Sequence, residues 1–228
     1  MDLSHATAVI TGGNRGLGRH LAAQLTERGA KVYAAARRPE TIDLPGVVPL
    51  LLDVTDEHSI HAAARIASDA TILVNNAGIF TGATLVAGAT DAIRREMETN
   101  FYGPLATTRA FAPVIAANGG GAILNILSVL SWAHPAAAGS YSASKAAAWA
   151  LTDATREELA PHGITVSGLY VGYMDTDMAE GVPAEMKSDP AEVAAQALSG
   201  IESGLPEILA DALTRQVKQA LSAAPSMA

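Results

Sequence analysis

The chain has 228 residues, of which 49% are hydrophobic and 17% are charged, a composition typical of a folded protein with a sizeable core and not of a disordered chain. Its formal charge of -8 without clustered lysine or arginine argues against nucleic acid or an anionic membrane surface as the main partner. The absence of cysteine, of a signal-peptide pattern and of a membrane-spanning apolar run predicts a cytoplasmic protein without disulfide or thiolate chemistry.

Strand-like and helix-like segments alternate along the chain. Short apolar segments predict strands at residues 6–11, 31–36, 47–52, 71–74, 121–127, 164–169 and 207–210. Helical periodicity predicts helices at residues 17–28, 56–68, 87–98, 101–117, 141–160 and 190–203, followed by a closing helix. Apolar strands separated by helices indicate a parallel sheet covered on both faces. We therefore predict one α/β domain over residues 1–228, with a doubly wound parallel sheet of about seven strands in three αβα layers.

The first predicted strand runs into a glycine-rich turn, Thr11-Gly12-Gly13-Asn14-Arg15-Gly16-Leu17-Gly18. Glycines let the backbone turn sharply and let a ligand approach closely, and free amides at the start of the next helix attract phosphate. The turn is therefore a candidate phosphate-binding element, with a tight turn that binds no ligand as the alternative. The absence of a Gly-Lys-Ser/Thr sequence excludes a phosphate loop of the nucleotide triphosphatase kind.

The second predicted strand ends at Ala36-Arg37-Arg38 without an acidic residue. In dinucleotide-binding folds an acid near this position binds the ribose 2′-hydroxyl, whereas an arginine accommodates a 2′-phosphate. Arg37, supported by Arg15 in the glycine turn, therefore favours NADP(H) over NAD(H). The alternative is that these arginines are ordinary surface residues.

Two further segments follow predicted strands. Asp53-Val54 comes after the third strand, and Asn75-Asn76-Ala77-Gly78 comes after the fourth. Ligands of such sheets collect at the carboxyl ends of the strands, so we expect the first segment near an adenine. The small residues of the second would let a ribose approach closely, although taken alone this segment is a turn.

The sequence Tyr141-Ser142-Ala143-Ser144-Lys145 opens a long alanine-rich helical segment. Residues four apart lie on one face of a helix, so the Tyr141 hydroxyl and the Lys145 ammonium are expected to share one pocket. A nearby cation stabilises phenolate over phenol, which would lower the pKa of Tyr141 from about 10 towards the working range of a proton donor and acceptor. The alternative is a surface tyrosine beside a solvated lysine.

Together these motifs resemble the short-chain dehydrogenase/reductase family. The resemblance rests on Thr-Gly-x-x-x-Gly-x-Gly at 11–18, Asn-Asn-Ala-Gly at 75–78, Asn100, Ser128 and Tyr-x-x-x-Lys at 141–145. It covers essentially the whole chain and implies a Rossmann-type NAD(P)-binding fold. It also implies a homodimer or homotetramer, with residues 101–117 and 141–160 as the candidate contact surfaces.

The resemblance implies four catalytic residues. Tyr141 would be the general acid/base, and Lys145 would bind the nicotinamide ribose while lowering the pKa of the tyrosine. Ser128 would hold the substrate oxygen, and Asn100 would position a water in a proton relay. The implied cofactor-binding residues are Gly12, Gly13, Asn14, Arg15, Gly16, Leu17, Gly18, Arg37, Asp53, Val54, Asn76, Ala77, Gly78, Tyr141, Lys145, Met174 and Thr176.

Information on the substrate is limited to a few residues near the expected site. Trp132, His134 and Tyr173 are candidates to line the substrate cleft together with Ser128. The alternatives are that the aromatic residues pack in the core and that the histidine is solvated. No cluster of His, Asp and Glu has metal-ligand spacing, so no metal is expected.

The leading hypothesis is an NADP(H)-dependent oxidoreductase that interconverts a ketone, aldehyde or 3-oxo compound and the corresponding alcohol by hydride transfer. An epimerase or dehydratase on the same fold is disfavoured because the chain has no extension for a nucleotide-sugar lobe. The alternative from another class is an NADP(H)-sensing binding protein with little or no turnover. A complete set of Ser128, Tyr141 and Lys145 argues against a sensor, which would not need all three groups.

Overall fold

The computed structural model of the chain describes residues 1–221, and residues 222–228 of the predicted domain lie outside the described part. Its strands are β1 (Thr7–Thr11), β2 (Lys31–Ala36), β3 (Val48–Leu51), β4 (Ile72–Asn75), β5 (Gly121–Ile126), β6 (Ile164–Tyr170), β7 (Tyr173–Met174), β8 (Lys187–Ser188) and β9 (Glu207–Leu209). Its α-helices are α1 (Gly16–Glu27), α2 (Glu57–Ile66), α3 (Thr90–Met97), α4 (Gly103–Ala117), α5 (Gly139–Leu159), α6 (Pro190–Glu202) and α7 (Ala212–Leu221).

Seven of the strands form one sheet in the order β3-β2-β1-β4-β5-β6-β9, and every pairing in it is parallel. The predicted doubly wound parallel sheet is therefore confirmed. Strand β1 pairs with β2 on one side and with β4 on the other, so the order of the strands reverses at this point. Such a reversal leaves a crevice at the carboxyl ends of β1 and β4, where ligands of open α/β sheets bind.

The two faces of the sheet are covered by different helices. Ala8 and Ile10 of β1 lie in a buried cluster with residues of α1 and α6, whereas Val9 lies in a second cluster with residues of α2 and α4. Successive side chains of a strand point to opposite faces, so one apolar strand supplies both cores. The result is the predicted arrangement of three layers, with the sheet buried between two layers of helices.

The chain between α3 and α4 is where the predicted helix boundaries differ most from the structure. The sequence predicts two helices split near Asn100, but residues Glu98–Tyr102 form a π-helical segment that joins α3 to α4 without a break. A π-helical turn inserts an extra residue into a helix and often lies at a functional site. Asn100 lies within this segment and is 1% exposed.

A second, smaller sheet was not predicted from the sequence. Strands β7 and β8 pair in parallel through Tyr173 with Lys187 and Met174 with Ser188. Strands this short lack a periodic pattern that sequence analysis could detect. The pairing closes the loop of residues 175–186 at its base.

In the described part of the chain, no helix is both long enough and apolar enough to cross a membrane. Within residues 1–221, no group of three or more His, Asp or Glu side chains is arranged to hold a metal ion.

Candidate active site

The glycine turn after β1 is shaped by backbone angles and close packing. Gly12 and Gly16 have φ angles of 65° and 51°, which residues with side chains rarely adopt. A Cβ atom at Gly18 would lie 2.3 Å from the carbonyl oxygen of Gly12, so only glycine lets α1 pack this closely on the turn. Arg15 precedes α1 and makes no side-chain capping hydrogen bond, so the first amides of α1 remain open to an anionic ligand.

Asn76 joins the loop after β4 to the glycine turn. Its Nδ2 donates hydrogen bonds to the carbonyl oxygens of Thr11 (2.9 Å) and Gly12 (3.1 Å). The backbone amides of Asn76 and Ala77 both donate to Thr11 Oγ1 at 3.0 Å. The glycine turn, predicted to bind phosphate, and the loop after β4, predicted to lie near a ribose, are therefore joined into one surface at the crevice.

Residues near the opening of the crevice come from three loops. Arg15 forms an ion pair of 2.6 Å with Asp177, and both side chains are largely exposed. A Cβ atom at Gly16 would lie 3.4 Å from Thr176 Cγ2, so the loop after β7 lies against the glycine turn. Arg37 is exposed at the end of β2, and within residues 1–221 it forms no ion pair.

The remaining cofactor candidates have neighbours within the protein. Asn14 Nδ2 donates to Thr41 Oγ1 at 3.0 Å, and Met174 packs against the core cluster of α1 and α6. Asp53 Oδ1 accepts hydrogen bonds from the amide (2.9 Å) and hydroxyl (2.8 Å) of Thr55. Val54 is buried, and a Cβ atom at Gly103 would lie 3.0 Å from its Cγ2 atom. Asp53 therefore stabilises the turn into α2, while Val54 packs beneath the start of α4.

Tyr141 and Lys145 lie on the same face of α5, one helical turn apart. Lys145 Nζ is 5.7 Å from the centre of the Tyr141 ring. Burial raises the pKa of Tyr141 to about 12, a hydrogen bond with Ser128 opposes this rise, and the negative charge of Glu96 adds to it. Burial also lowers the pKa of Lys145 to about 8.

This pattern corrects the expectation that Lys145 lowers the pKa of Tyr141. Burial disfavours the charged form of every group, so it opposes phenolate formation and ammonium formation alike. The desolvation of Tyr141 is the largest influence on its pKa, and it outweighs the attraction expected from the spacing of the two residues. In the free protein the tyrosine is therefore a phenol at neutral pH.

Lys145 has unused hydrogen-bonding capacity in a buried position. Its side chain is 6% exposed, and within the described residues its ammonium donates to one acceptor, the carbonyl oxygen of Ile126 at 2.8 Å. An ammonium has three N–H donors. A Cβ atom at Gly78 would lie 3.8 Å from Nζ, so the absence of a side chain there leaves space above the ammonium. A hydroxyl-bearing ligand fits such a position, because it would supply the missing acceptors.

Asn100 holds the segment that passes over Lys145. Its Oδ1 accepts from the amide of Ile79 at 2.9 Å, and its Nδ2 donates to the carbonyl oxygen of Ile79 (2.9 Å) and to Ser144 Oγ (3.0 Å). The side chain is thus hydrogen-bonded to the loop after β4 and to α5 at once. The role of Asn100 in positioning a water stays a prediction.

Ser128 follows β5 and starts a short helical turn. Its Oγ accepts a hydrogen bond from the amide of Leu130 at 3.1 Å, and its own amide donates to Ser131 Oγ at 3.4 Å. This capping fixes the backbone at Ser128, whose hydroxyl lies close enough to Tyr141 to oppose the rise in the pKa of that phenol. The predicted proximity of Ser128 and Tyr141 is therefore present in the structure.

The three candidate substrate residues lie in different surroundings. Trp132 is 6% exposed; its ring stacks on Tyr170 with centres 4.1 Å apart and meets Trp149 edge-on at 6.1 Å. Lys218 Nζ of α7 lies 4.8 Å from the centre of the Trp132 ring. Because these groups enclose it, Trp132 is a packing residue and is left out of the proposed site. His134 and Tyr173 are exposed.

A polar network crosses the sheet behind the site. Asn75 Nδ2 donates to Asn125 Oδ1 at 2.8 Å, and Asn125 Nδ2 donates to Thr152 Oγ1 of α5 at 2.9 Å. On the other side Thr107 Oγ1 of α4 donates to Asn75 Oδ1 at 2.6 Å. All four side chains are buried, so this network fixes α4 and α5 against the carboxyl ends of β4 and β5.

Two residues beside Tyr141 were not predicted from the sequence. Glu96 of α3 is fully buried and contacts Thr81 and Ser140. Phe80 is 45% exposed and packs edge-on against the Tyr141 ring, with centres 5.4 Å apart. The available signal for Glu96 was its position four residues before Asn100, which places both on one helical face.

Comparisons with known proteins agree with this architecture. The family model described as "short chain dehydrogenase" matches residues 6–187. A short-chain dehydrogenase of Penicillium ochrochloron is 37% identical over 186 residues, which are 76% of this chain and 68% of that protein. A 3-oxoacyl-[acyl-carrier-protein] reductase of Vibrio cholerae is 30% identical over 216 residues, which cover 85% of this chain and 88% of that protein.

A solved structure is also similar over nearly the whole length. It is a short-chain dehydrogenase from Burkholderia cenocepacia in complex with NADP, with a TM-score of 0.94 and 39% identity, and the match covers 98% of this chain and 95% of that one. A doubly wound sheet with a glycine turn, a buried serine and lysine and a partly buried tyrosine at its carboxyl edge defines an oxidoreductase that uses a nicotinamide dinucleotide. The chain belongs to the short-chain dehydrogenase/reductase family.

Proposed function

We propose that the protein is an NADP(H)-dependent oxidoreductase that interconverts a ketone, aldehyde or 3-oxo compound and the corresponding alcohol. The observation that carries the proposal is the grouping of buried Ser128 and Lys145 with partly buried Tyr141 at the carboxyl edge of the sheet, beside the glycine turn and the start of α1, which has no side-chain cap. The hydroxyl of Tyr141 can donate a proton in the reaction, and the buried ammonium of Lys145 has N–H donors that are available to a ligand. A protein that only senses a cofactor has no need of this combination.

The reaction assigns a distinct task to each side chain. When bound, the reduced nicotinamide supplies the hydride for the carbonyl carbon. Negative charge then develops on the substrate oxygen, and the hydroxyls of Ser128 and Tyr141 stabilise it by hydrogen bonding. Tyr141 transfers its proton to that oxygen and becomes a phenolate. The ammonium of Lys145, one helical turn away, stabilises the phenolate until a proton is regained.

Several residues of the structure are suited to hold a dinucleotide. The glycine turn and the open amides of α1 would hold the phosphates, and the donors of Lys145 beside Gly78 would bind ribose hydroxyls. We assign the adenosine side to Asp53, Val54 and Arg37, and the nicotinamide side to Met174 and Thr176, as the family resemblance implies.

The preference for NADP(H) rests on Arg37. It is exposed at the end of β2 and free of ion pairs within residues 1–221, and an arginine at this position accommodates a 2′-phosphate. The similar Burkholderia protein was solved with NADP, which supports the same choice. Arg37→Asp should shift the ratio of kcat/KM values towards NAD(H), while Arg38→Asp, which changes the neighbouring charge equally, should shift it less. An equal effect of both variants would remove Arg37 from the assignment.

The activity is tested by a screen of carbonyls and alcohols that follows the absorbance of the reduced nicotinamide with both cofactors. Tyr141→Phe should retain cofactor binding and lose at least about a hundredfold in kcat, because it removes the proton donor and nothing else. Turnover close to wild type in this variant would exclude Tyr141 as the acid. Tight NADPH binding by the wild type without reduction of any carbonyl in the panel would support the sensing protein instead.

Three broader predictions accompany this function. We propose one domain over residues 1–228, a cytoplasmic location, and a homodimer or homotetramer that associates through α4 and α5. Light scattering at micromolar concentration tests the assembly, and a monomer under these conditions would refute it.

A further inference from the structure

Glu96 is a fully buried carboxyl group beside the proposed active site. Its side chain is 0% exposed, although glutamate is almost never fully buried unless it is paired. Within residues 1–221 it forms no ion pair with lysine, arginine or histidine. A buried charge without a cation is costly, and the proposed reaction does not use Glu96 directly. Its placement therefore needs a separate explanation.

The hydrogen bonds of Glu96 connect two segments that flank Tyr141. Oε1 accepts from the amide (2.6 Å) and the hydroxyl (2.9 Å) of Thr81, which follows Phe80, the residue packed edge-on against the Tyr141 ring. Oε2 accepts from the hydroxyl of Ser140, the residue that precedes Tyr141 on α5. The carboxyl group thus fixes the loop after β4 and the first turn of α5 relative to each other.

Among the acidic side chains on the elements that pack around Tyr141, Glu96 is the buried one. Lys145, on the same helix as Tyr141, is the buried basic group. The other titratable or charged side chains on α3, the π-helical segment, the loop after Ser128 and the first half of α5 are exposed: Asp91, Arg94, Arg95, Glu98, Tyr102 and His134. Charges in contact with water are strongly screened. Glu96 is therefore the buried acidic charge on these elements that raises the pKa of Tyr141.

We propose that Glu96 is a positioning residue with two effects: it holds residues 79–83 against the start of α5, and its negative charge keeps the proton on the Tyr141 hydroxyl until the substrate oxygen takes it. This inference rests on the proposed function of Tyr141 as the acid. The influence of Glu96 on the pKa of Tyr141 has the required sign, because a negative charge nearby raises it.

The two effects are separated by variants that preserve different parts of the contact. In Glu96→Gln, the amide can donate to Ser140 Oγ, Ser140 can donate to the carbonyl oxygen of Ala83 (3.0 Å in the structure), and the side-chain oxygen can still accept from Thr81. This variant removes the charge and keeps the hydrogen bonds. Thr81→Val keeps the charge and removes two hydrogen bonds of the loop, the one that Thr81 Oγ1 donates to Glu96 (2.9 Å) and the one that it accepts from the amide of Ala83 (3.3 Å). Glu98→Gln removes the same charge from an exposed position two residues away and is the matched control.

The first readout is the pH dependence of carbonyl reduction. Glu96→Gln should move the loss of kcat at alkaline pH to lower pH by about half to one unit, the effect of one nearby charge in a protein interior. Glu98→Gln should leave the midpoint unchanged. Thr81→Val should raise KM without moving the midpoint, because it disturbs only the loop. A residue with a purely structural role would alter KM or stability in Glu96→Gln and leave the midpoint in place.

The second readout does not depend on turnover. The Cζ resonance of ¹³C-labelled tyrosine reports ionisation, and Tyr141→Phe identifies the signal of Tyr141. In the free protein this signal should begin to titrate at lower pH in Glu96→Gln than in wild type or in Glu98→Gln. Equal titration in all three proteins would overturn the inference, whether or not the wild type reduces a carbonyl. Conversely, an inactive wild type with the shifted titration would refute the proposed function and leave the effect of Glu96 on Tyr141 established.

Discussion

Replacing Lys145 with methionine should make the free protein more stable at neutral pH, although it removes a residue of the proposed active site. Burial lowers the pKa of Lys145 from 10.5 to about 8, which at about 1.4 kcal/mol per pH unit means that the ionised ammonium destabilises the folded state by about 3 kcal/mol at neutral pH. Methionine leaves the carbonyl oxygen of Ile126 without this donor, at a cost of about 1 kcal/mol. The net gain of Lys145→Met should be about 2 kcal/mol.

The dependence on pH gives this prediction its sign. Between pH 8 and 10.5 the unfolded chain still binds the lysine proton while the folded protein has released it. Because the unfolded state then binds more protons, the unfolding free energy of the wild type rises with pH across this window. Lys145→Met lacks the group and lacks this rise. Its advantage over wild type should therefore disappear as the pH approaches 10.5.

Urea unfolding followed by circular dichroism, at several pH values, measures the difference between the two proteins. Lys31→Met is an informative control, since the hydrogen bond with Asp69 raises the pKa of Lys31. Ionised Lys31 stabilises the folded protein below the ordinary pKa of lysine, and this stabilisation is lost as the pH rises through the raised pKa of the folded state. The stability difference between wild type and Lys31→Met should therefore change with pH in the opposite direction to that of Lys145→Met. Parallel stability curves for wild type and Lys145→Met over the whole range would show that Lys145 is not desolvated in the folded state, and the reasoning would fail.

Other predictions concern the parts that surround this lysine. Gly18→Ala should abolish cofactor binding and lower Tm, because the new Cβ atom would lie 2.3 Å from the Gly12 carbonyl oxygen. Gly181→Ala should do neither, because residue 181 has open space around it. Equal effects of the two variants in calorimetry and in cofactor-binding assays would refute the packing argument. Asn125→Ala should lower the unfolding free energy by about 2 kcal/mol or more in urea titrations, because buried hydrogen-bond partners lose their contacts. Asp177→Asn should change it by less than about 1 kcal/mol, since its ion pair with Arg15 is largely exposed and screened.

The fold was predictable because local signals agreed with one another along the chain. The apolar strands, the glycine turn and the helical spacing of Tyr141 and Lys145 each require only a few neighbouring residues, and the structure has all of them. Element ends were less accurate. Helix α5 begins at Gly139 and not at residue 141, and α3 begins at Thr90 and not at residue 87.

The features that were not predicted depend on contacts between distant segments. A glutamate in a charged helical sequence such as Arg94-Arg95-Glu96 indicates a solvated face, and only the packing of the loop after β4 buries it. The pKa of Tyr141 was misjudged for the same reason, because spacing along a helix reveals the neighbouring cation but not the extent of desolvation. Trp132 was assigned by its nearness in sequence to Ser128, whereas its ring turns into a cluster completed by a residue of α7.

That aromatic cluster gives the protein a built-in optical reporter. Trp132 and Trp149 are its two tryptophans; their rings meet edge-on, and Lys218 lies over the ring of Trp132. Their emission therefore arises from one place, the junction between the C-terminal helix and the segment that leads away from Ser128. Detachment of that helix would change the fluorescence without any label, so its docking can be followed in stopped-flow or thermal experiments on the unmodified chain.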